Sequence, residues 1–134
     1  MRKMMTFLML ILSLSCFAPE NNILIMLTGE EIKPFETLLK AVSTVESNGD
    51  NYAVNEKEQA YGALQIRQCR LDHFFQLTGK RYTLTDMFDY EKAKEVFLYF
   101  ADMFGPYQME KAAKRWNGSG PMVEIYWNKV KQYL

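Results

Sequence analysis

Residues 34–66 read "PFETLLKAVSTVESNGDNYAVNEKEQAYGALQI", and the stretch changes texture halfway. Phe35, Leu38, Leu39, Val42 and Val45 recur at steps of three and four, which gives a helix with one apolar face. Pro34 opens that helix, because a missing N–H is harmless in the first turn. Thr28 and Glu31 have capping-box spacing, but a helix begun there would hold Pro34 in its interior at a cost of ~3 kcal/mol. Gly49 is the expected stop. Beyond residue 51 the helical period is lost. Tyr52, Val54, Tyr61, Leu64 and Ile66 are separated by polar residues and Gly62, the pattern of a small irregular β-hairpin or an extended loop.

The rest of the chain returns to helices. A second is expected from about Arg67 to Leu77, ended by Gly79, and a third lies in "DYEKAKEVFLYFADMFG" with Asp89 as its cap. Its core stripe is Ala93, Val96, Phe97, Phe100 and Phe104, and Gly105-Pro106 stops it. A fourth runs from Gln108 to Trp116. Pro121 starts a fifth towards Leu134, with Ile125, Tyr126, Val130 and Tyr133 facing inward. About five helices around one small β element make an α+β domain, predominantly α.

Working outward in the other direction, residues 21–33 form a connector and residues 1–20, "MRKMMTFLMLILSLSCFAPE", have the layout of a secretory signal peptide: basic Arg2 and Lys3, an apolar run, then small residues before Pro19. The apolar run is shorter than the roughly 20 residues a membrane-spanning helix needs. "SLSC" is close to the pattern at which bacterial lipoproteins are cut and acylated, so a lipid on Cys16 is the one route by which this chain would hold a membrane. The expected location is outside the cytoplasm, in the periplasm or cell envelope. With Cys16 removed or acylated, Cys69 is the only other cysteine and no disulfide framework arises. Cys69 is expected to be a small core residue.

The whole chain has 134 residues, 49% of them apolar, and a formal net charge of zero. That composition argues against disorder and against a general polyanion-binding surface, so nucleic acid is not an expected partner. One domain, residues 34–134, must carry whatever chemistry there is. His73 has no His or Cys neighbours at metal spacing and receives no role; no metal or cofactor is expected. Asn117-Gly118-Ser119 is read as a turn rather than as a glycosylation site.

Glu46 is the residue that asks for an explanation. It falls in the last turn of the first helix beside Val42 and Val45, where both burial and the negative end of the helix disfavour its charged form. A carboxyl group kept protonated near neutral pH can give a proton to a leaving oxygen, which is what cleavage of a glycosidic bond requires. Most glycosidases use a second carboxylate; Asp50, Glu56 and Glu58 are the candidates.

Taken together, "VESNGDNYAVN", "AYGALQI" and "AAKRWNGSG" resemble the soluble lytic transglycosylases of the lysozyme-like superfamily. Those enzymes carry a Glu-Ser pair at a helix end, a Gly-x-x-Gln segment and a Tyr-Asn-x-Gly segment, in that order. The resemblance implies a lysozyme-like fold and peptidoglycan glycan strands as substrate. It implies that Glu46 is the catalytic acid and then base, and that Ser47 holds the helix end. Asn55 would face the site across the hairpin; Tyr61, Gly62, Gln65 and Ile66 would line the sugar groove; Trp116 and Asn117 would close it. Trp116 keeps an aromatic face for sugar stacking but lacks the phenol hydroxyl of the usual Tyr. If none of the three carboxylates serves, the substrate's own N-acetyl group can stabilise the developing positive charge, and the resemblance then implies a 1,6-anhydro product. By analogy with other small exported members, the setting would be local opening of the wall for a secretion, conjugation or phage machine. A hydrolytic muramidase on the same fold and a non-catalytic peptidoglycan-binding protein are the competing readings.

Overall fold

Helix α1, Glu36–Ser47, buries Leu38, Leu39, Ala41 and Val42 along one side, as the three- and four-residue spacing requires. The computed structural model describes residues 35–105 and 107–134; the expected leader, Cys16, the connector and Pro34 lie outside them. Asn48 ends α1 in the left-handed conformation, φ 56°. Its N–H reaches the Thr44 carbonyl at 3.0 Å, and the Gly49 N–H reaches the Ser43 carbonyl at 3.1 Å. The stop expected at Gly49 is therefore shared with Asn48, one of the few residue types that tolerates this backbone. Asp50 then accepts the Tyr52 N–H at 2.8 Å, turning the chain away from the helix axis.

The β element is a three-stranded antiparallel sheet rather than a single hairpin. Strands β1 (Val54–Asn55), β2 (Ala60–Tyr61) and β3 (Ile66–Arg67) lie in chain order, with Val54 opposite Tyr61 and Tyr61 opposite Ile66. Its tight β2–β3 turn depends on Gly62. The backbone there has φ +77°, and a Cβ would sit 2.0 Å from the Met87 carbonyl oxygen, so only glycine fits. Met87 belongs to a 3₁₀ turn, Thr85–Phe88, that packs against β2.

Four further helices complete the described architecture: α2 (Gln68–Thr78), α3 (Tyr90–Asp102), α4 (Met109–Asn117) and α5 (Met122–Val130). A short 3₁₀ turn, Lys131–Tyr133, follows. Asp89 caps α3 as expected, accepting the N–H groups of Glu91 and Lys92. Helix α4 packs on α3 and α5, and α1 packs on α4 and α5. Phe74, Phe97, Leu38, Leu64 and Val130 fill the core between them. The described residues are thus α+β and predominantly helical, and none of their helices is long and apolar enough to cross a membrane.

Three positions depart from the sequence expectation. Cys69 is exposed rather than core. The inward face of α2 is set by Leu71 and Phe74, and a residue two places before Leu71 points about 200° around the helix from it. Ile125 and Tyr133 are 49% and 55% exposed. Tyr126 and Val130, four apart, form the inward stripe of α5. Ile125 lies off that stripe, and α5 gives way to a 3₁₀ turn before Tyr133, which breaks the period the sequence suggested.

Candidate active site

The last turn of α1 delivers Glu46 to a cleft of about 150 Å³. The opposite walls come from the sheet, from the start of α2 and from the end of α4. Asn55, Glu58, Gln65 and Arg67 line the sheet side; Cys69 and Arg70 come from α2; Trp116 and Asn117 come from α4. A helix end, a sheet edge and two other helices thus converge on one carboxyl group.

Glu46 is anchored from a distance of 80 residues along the chain. The Tyr126 hydroxyl on α5 donates to Glu46 Oε1 at 2.7 Å. Burial raises the Glu46 pKa above its ordinary value; the Tyr126 hydrogen bond and the Arg67 charge act in the opposite direction, and Glu58 reinforces the rise. Burial and the neighbouring Glu46 together push the Tyr126 phenol well above its usual range, so it remains a neutral donor. The result is a carboxyl group biased towards its protonated form and fixed in orientation, the state needed for proton donation.

Other expected site residues divide into those that face the cleft and those that build it. Ser47 donates its hydroxyl to the Ala63 carbonyl at 2.9 Å and to the Ser43 carbonyl at 3.3 Å. It therefore ties the end of α1 to the β2–β3 turn, and it does not line the cleft. Gln65 does line it. Its φ is +50°, and its side-chain amide donates to the Gly62 carbonyl at 3.0 Å and the Ala53 carbonyl at 3.3 Å, which locks the turn. Asn55 lines the cleft and accepts the Glu58 N–H at 3.2 Å, shaping the β1–β2 loop that carries Glu58. Ile66 is 1% exposed at the cleft floor. Tyr61 and Gly62 stand outside: the Tyr61 ring packs 5.8 Å from Phe88, and Gly62 serves the close approach to Met87.

Trp116 is placed differently from an open sugar platform. It is 7% exposed, its ring meets Phe97 edge-on at 4.8 Å, and the Arg70 guanidinium lies 4.6 Å from its centroid. The indole is a wall of the core with a cation over it, and Asn117 beside it is the more accessible member of the pair. The phenol hydroxyl that reaches Glu46 is that of Tyr126, which the sequence marked as inward-facing but gave no part in the site. Arg67 and Arg70 were likewise not singled out. Their one local signal is position, because Arg67 directly follows the Gly-x-x-Gln-Ile segment.

Among Asp50, Glu56 and Glu58, the cleft is shared by Glu58. Asp50 is occupied by the Tyr52 N–H, and Glu56 is exposed and offers its backbone carbonyl to the Gln59 side chain. No group of His, Cys, Asp and Glu side chains among the described residues could hold a metal ion. No family model matches the chain, and no curated protein or solved structure matches it either.

Proposed function

We propose that this protein is a peptidoglycan lytic transglycosylase of lysozyme-like fold, with Glu46 as its general acid and then its base. The observation that carries the reading is the state of Glu46: partly buried, biased towards its protonated form, and held at 2.7 Å by Tyr126 at the wall of a cleft. The three motifs that prompted the resemblance meet in this region. The end of α1 carries the acid, the Gly-x-x-Gln segment forms the turn and strand facing it, and Trp116-Asn117 bounds the far side. The basic-then-apolar start of the chain supports action outside the cytoplasm on the cell wall.

In this mechanism protonated Glu46 gives its proton to the oxygen linking N-acetylmuramic acid to N-acetylglucosamine, and the C1–O bond breaks. The N-acetyl carbonyl of the muramic residue stabilises the positive charge at C1. Glu46, now a carboxylate, removes the proton from the 6-hydroxyl of the same sugar, and O6 attacks C1 to close the 1,6-anhydro ring. Proton and charge balance, and Glu46 ends protonated. Tyr126 keeps the carboxyl aimed through both steps without exchanging a proton itself.

A second reading, hydrolysis by a muramidase, is favoured by one observation: Glu58 lines the same cleft and could activate a water. Mass spectrometry of digested cell wall separates the two, because anhydro ends are lighter by one water than reducing ends. Glu46→Gln keeps shape but has no transferable proton, and it should abolish soluble products of either kind. Glu58→Gln should lose much less if the N-acetyl group serves as the second participant. Retention on cell-wall sacculi with no soluble muropeptides from the unmodified protein would instead make it a non-catalytic binder.

A further inference from the structure

Two arginines in the cleft are not used by the acid–base chemistry. Arg67 is exposed at the end of β3 and Arg70 is half-buried one turn into α2, and both line the same cleft as Glu46. Ion pairs among the described residues join Lys80 to Glu95, Lys92 to Asp86, Lys94 to Glu36, and Lys114 to Glu110 and Glu124. Neither Arg67 nor Arg70 takes part, although Glu58 lines the cleft with them. Arg70 is also held rigid. Its Nη2 donates to the Trp116 carbonyl at 2.8 Å, and its guanidinium lies 4.6 Å from the Trp116 centroid and 5.0 Å from that of Phe100.

A guanidinium fixed between aromatic rings has already given up the freedom that binding would otherwise take from it. Two guanidinium groups without an ion partner among the described residues, set against one Glu58 carboxylate, leave the cleft cationic when Glu46 carries its proton. An uncharged glycan would leave that charge unanswered. A planar carboxylate answers it with a bidentate pair.

We propose that the cleft selects an anionic glycan, with Arg67 as the specificity-determining residue that receives a carboxylate of the strand and Arg70 as the rigid cationic wall behind it. The proposal rests on the reading of Glu46 as a glycosidase acid and adds the charge class of the substrate. Two carboxylates of a wall strand share this chemistry: the lactyl carboxylate of a muramic residue stripped of its peptide, and the carboxylates of an attached peptide stem.

The test is binding by the full-length Glu46→Gln protein, which does not depend on turnover. Three soluble probes are compared: amidase-stripped strands, the same strands with their carboxyls converted to neutral amides, and stem-bearing strands. Stripped strands should bind about tenfold more tightly than amidated ones, the scale of one charge-assisted contact. Adding Arg67→Gln should bring that ratio close to one, and Arg67→Lys should preserve part of it. An Arg67-dependent preference for stem-bearing over stripped strands would assign the carboxylate to the stem. Equal binding of acidic and amidated strands, an unchanged ratio in Arg67→Gln, or no binding of any probe would overturn the proposal. If the preference is present but the unmodified protein releases no soluble products, the charge selection stands and the enzymatic reading falls.

Discussion

Replacing Tyr126 by Phe isolates the contact that holds the candidate acid. Tyr126 is 8% exposed and its hydroxyl donates to Glu46 Oε1 at 2.7 Å, so the substitution keeps the buried ring and removes one hydrogen bond. A hydrogen bond to a charged group contributes ~1.5–3 kcal/mol net, and one between neutral groups ~0.5–1.5 kcal/mol. The loss should therefore depend on pH: about 1 kcal/mol below the ordinary carboxyl range, where Glu46 is protonated, and about 2 kcal/mol above its raised pKa, where it is ionised. For a domain of this size each kcal/mol corresponds to a Tm change of ~4–8 °C, well within reach of thermal melts. Catalysis should suffer more than stability, because a freed carboxyl displaced by about 1 Å can lose on the order of a hundredfold in rate. The direction of the pH profile is the sharper readout. The Tyr126 bond favours ionised Glu46, so removing it raises the carboxyl pKa further and moves the high-pH limb of kcat/KM on soluble strands upward. A limb that stays in place, with kcat unchanged, would make Tyr126 a packing residue only; a limb that moves to lower pH would refute the electrostatic argument.

Two further outcomes follow from the same structure. Glu46 has a folded-state pKa raised above 4.5, so its ionisation destabilises the fold and its favourable contribution is lost as pH rises from about 4.5 through the folded value. Glu46→Gln should accordingly be as stable as the original protein or more so in urea melts at high pH, with the difference shrinking below about pH 4.5; a variant less stable at high pH would contradict this. Gly62→Ala should lose on the order of 3 kcal/mol or fail to fold, because its Cβ meets the Met87 carbonyl at 2.0 Å. Gly49→Ala is the control: its φ is +79° but nothing lies within 4 Å, so a loss of about 1 kcal/mol is expected. Similar melts for the two alanine variants would disprove the steric account of Gly62.

The sequence by itself determined which faces of the helices are buried and where most helices end. Leu38, Leu39, Val42, Ala93, Val96 and Phe97 are core because burial repeats with the helical period, and Asp89 and Gly79 mark ends because capping is local chemistry. It also placed Glu46 in a last helical turn against apolar neighbours, since that follows from a handful of adjacent residues. Only the tertiary structure decided what Glu46 meets. The Tyr126 hydroxyl arrives from 80 residues away, Glu58 rather than Asp50 or Glu56 shares the cleft, and Arg70 covers the ring of Trp116 that the motif alone offered to a sugar. Periodicity records which side of an element avoids water; it carries no record of which residue on another element fills the space opposite. That partner is set by how α5 docks on α1, where packing of whole faces fixes the position of single polar groups, and by the hydrogen bond from Arg70 to the Trp116 carbonyl that brings the start of α2 to the end of α4.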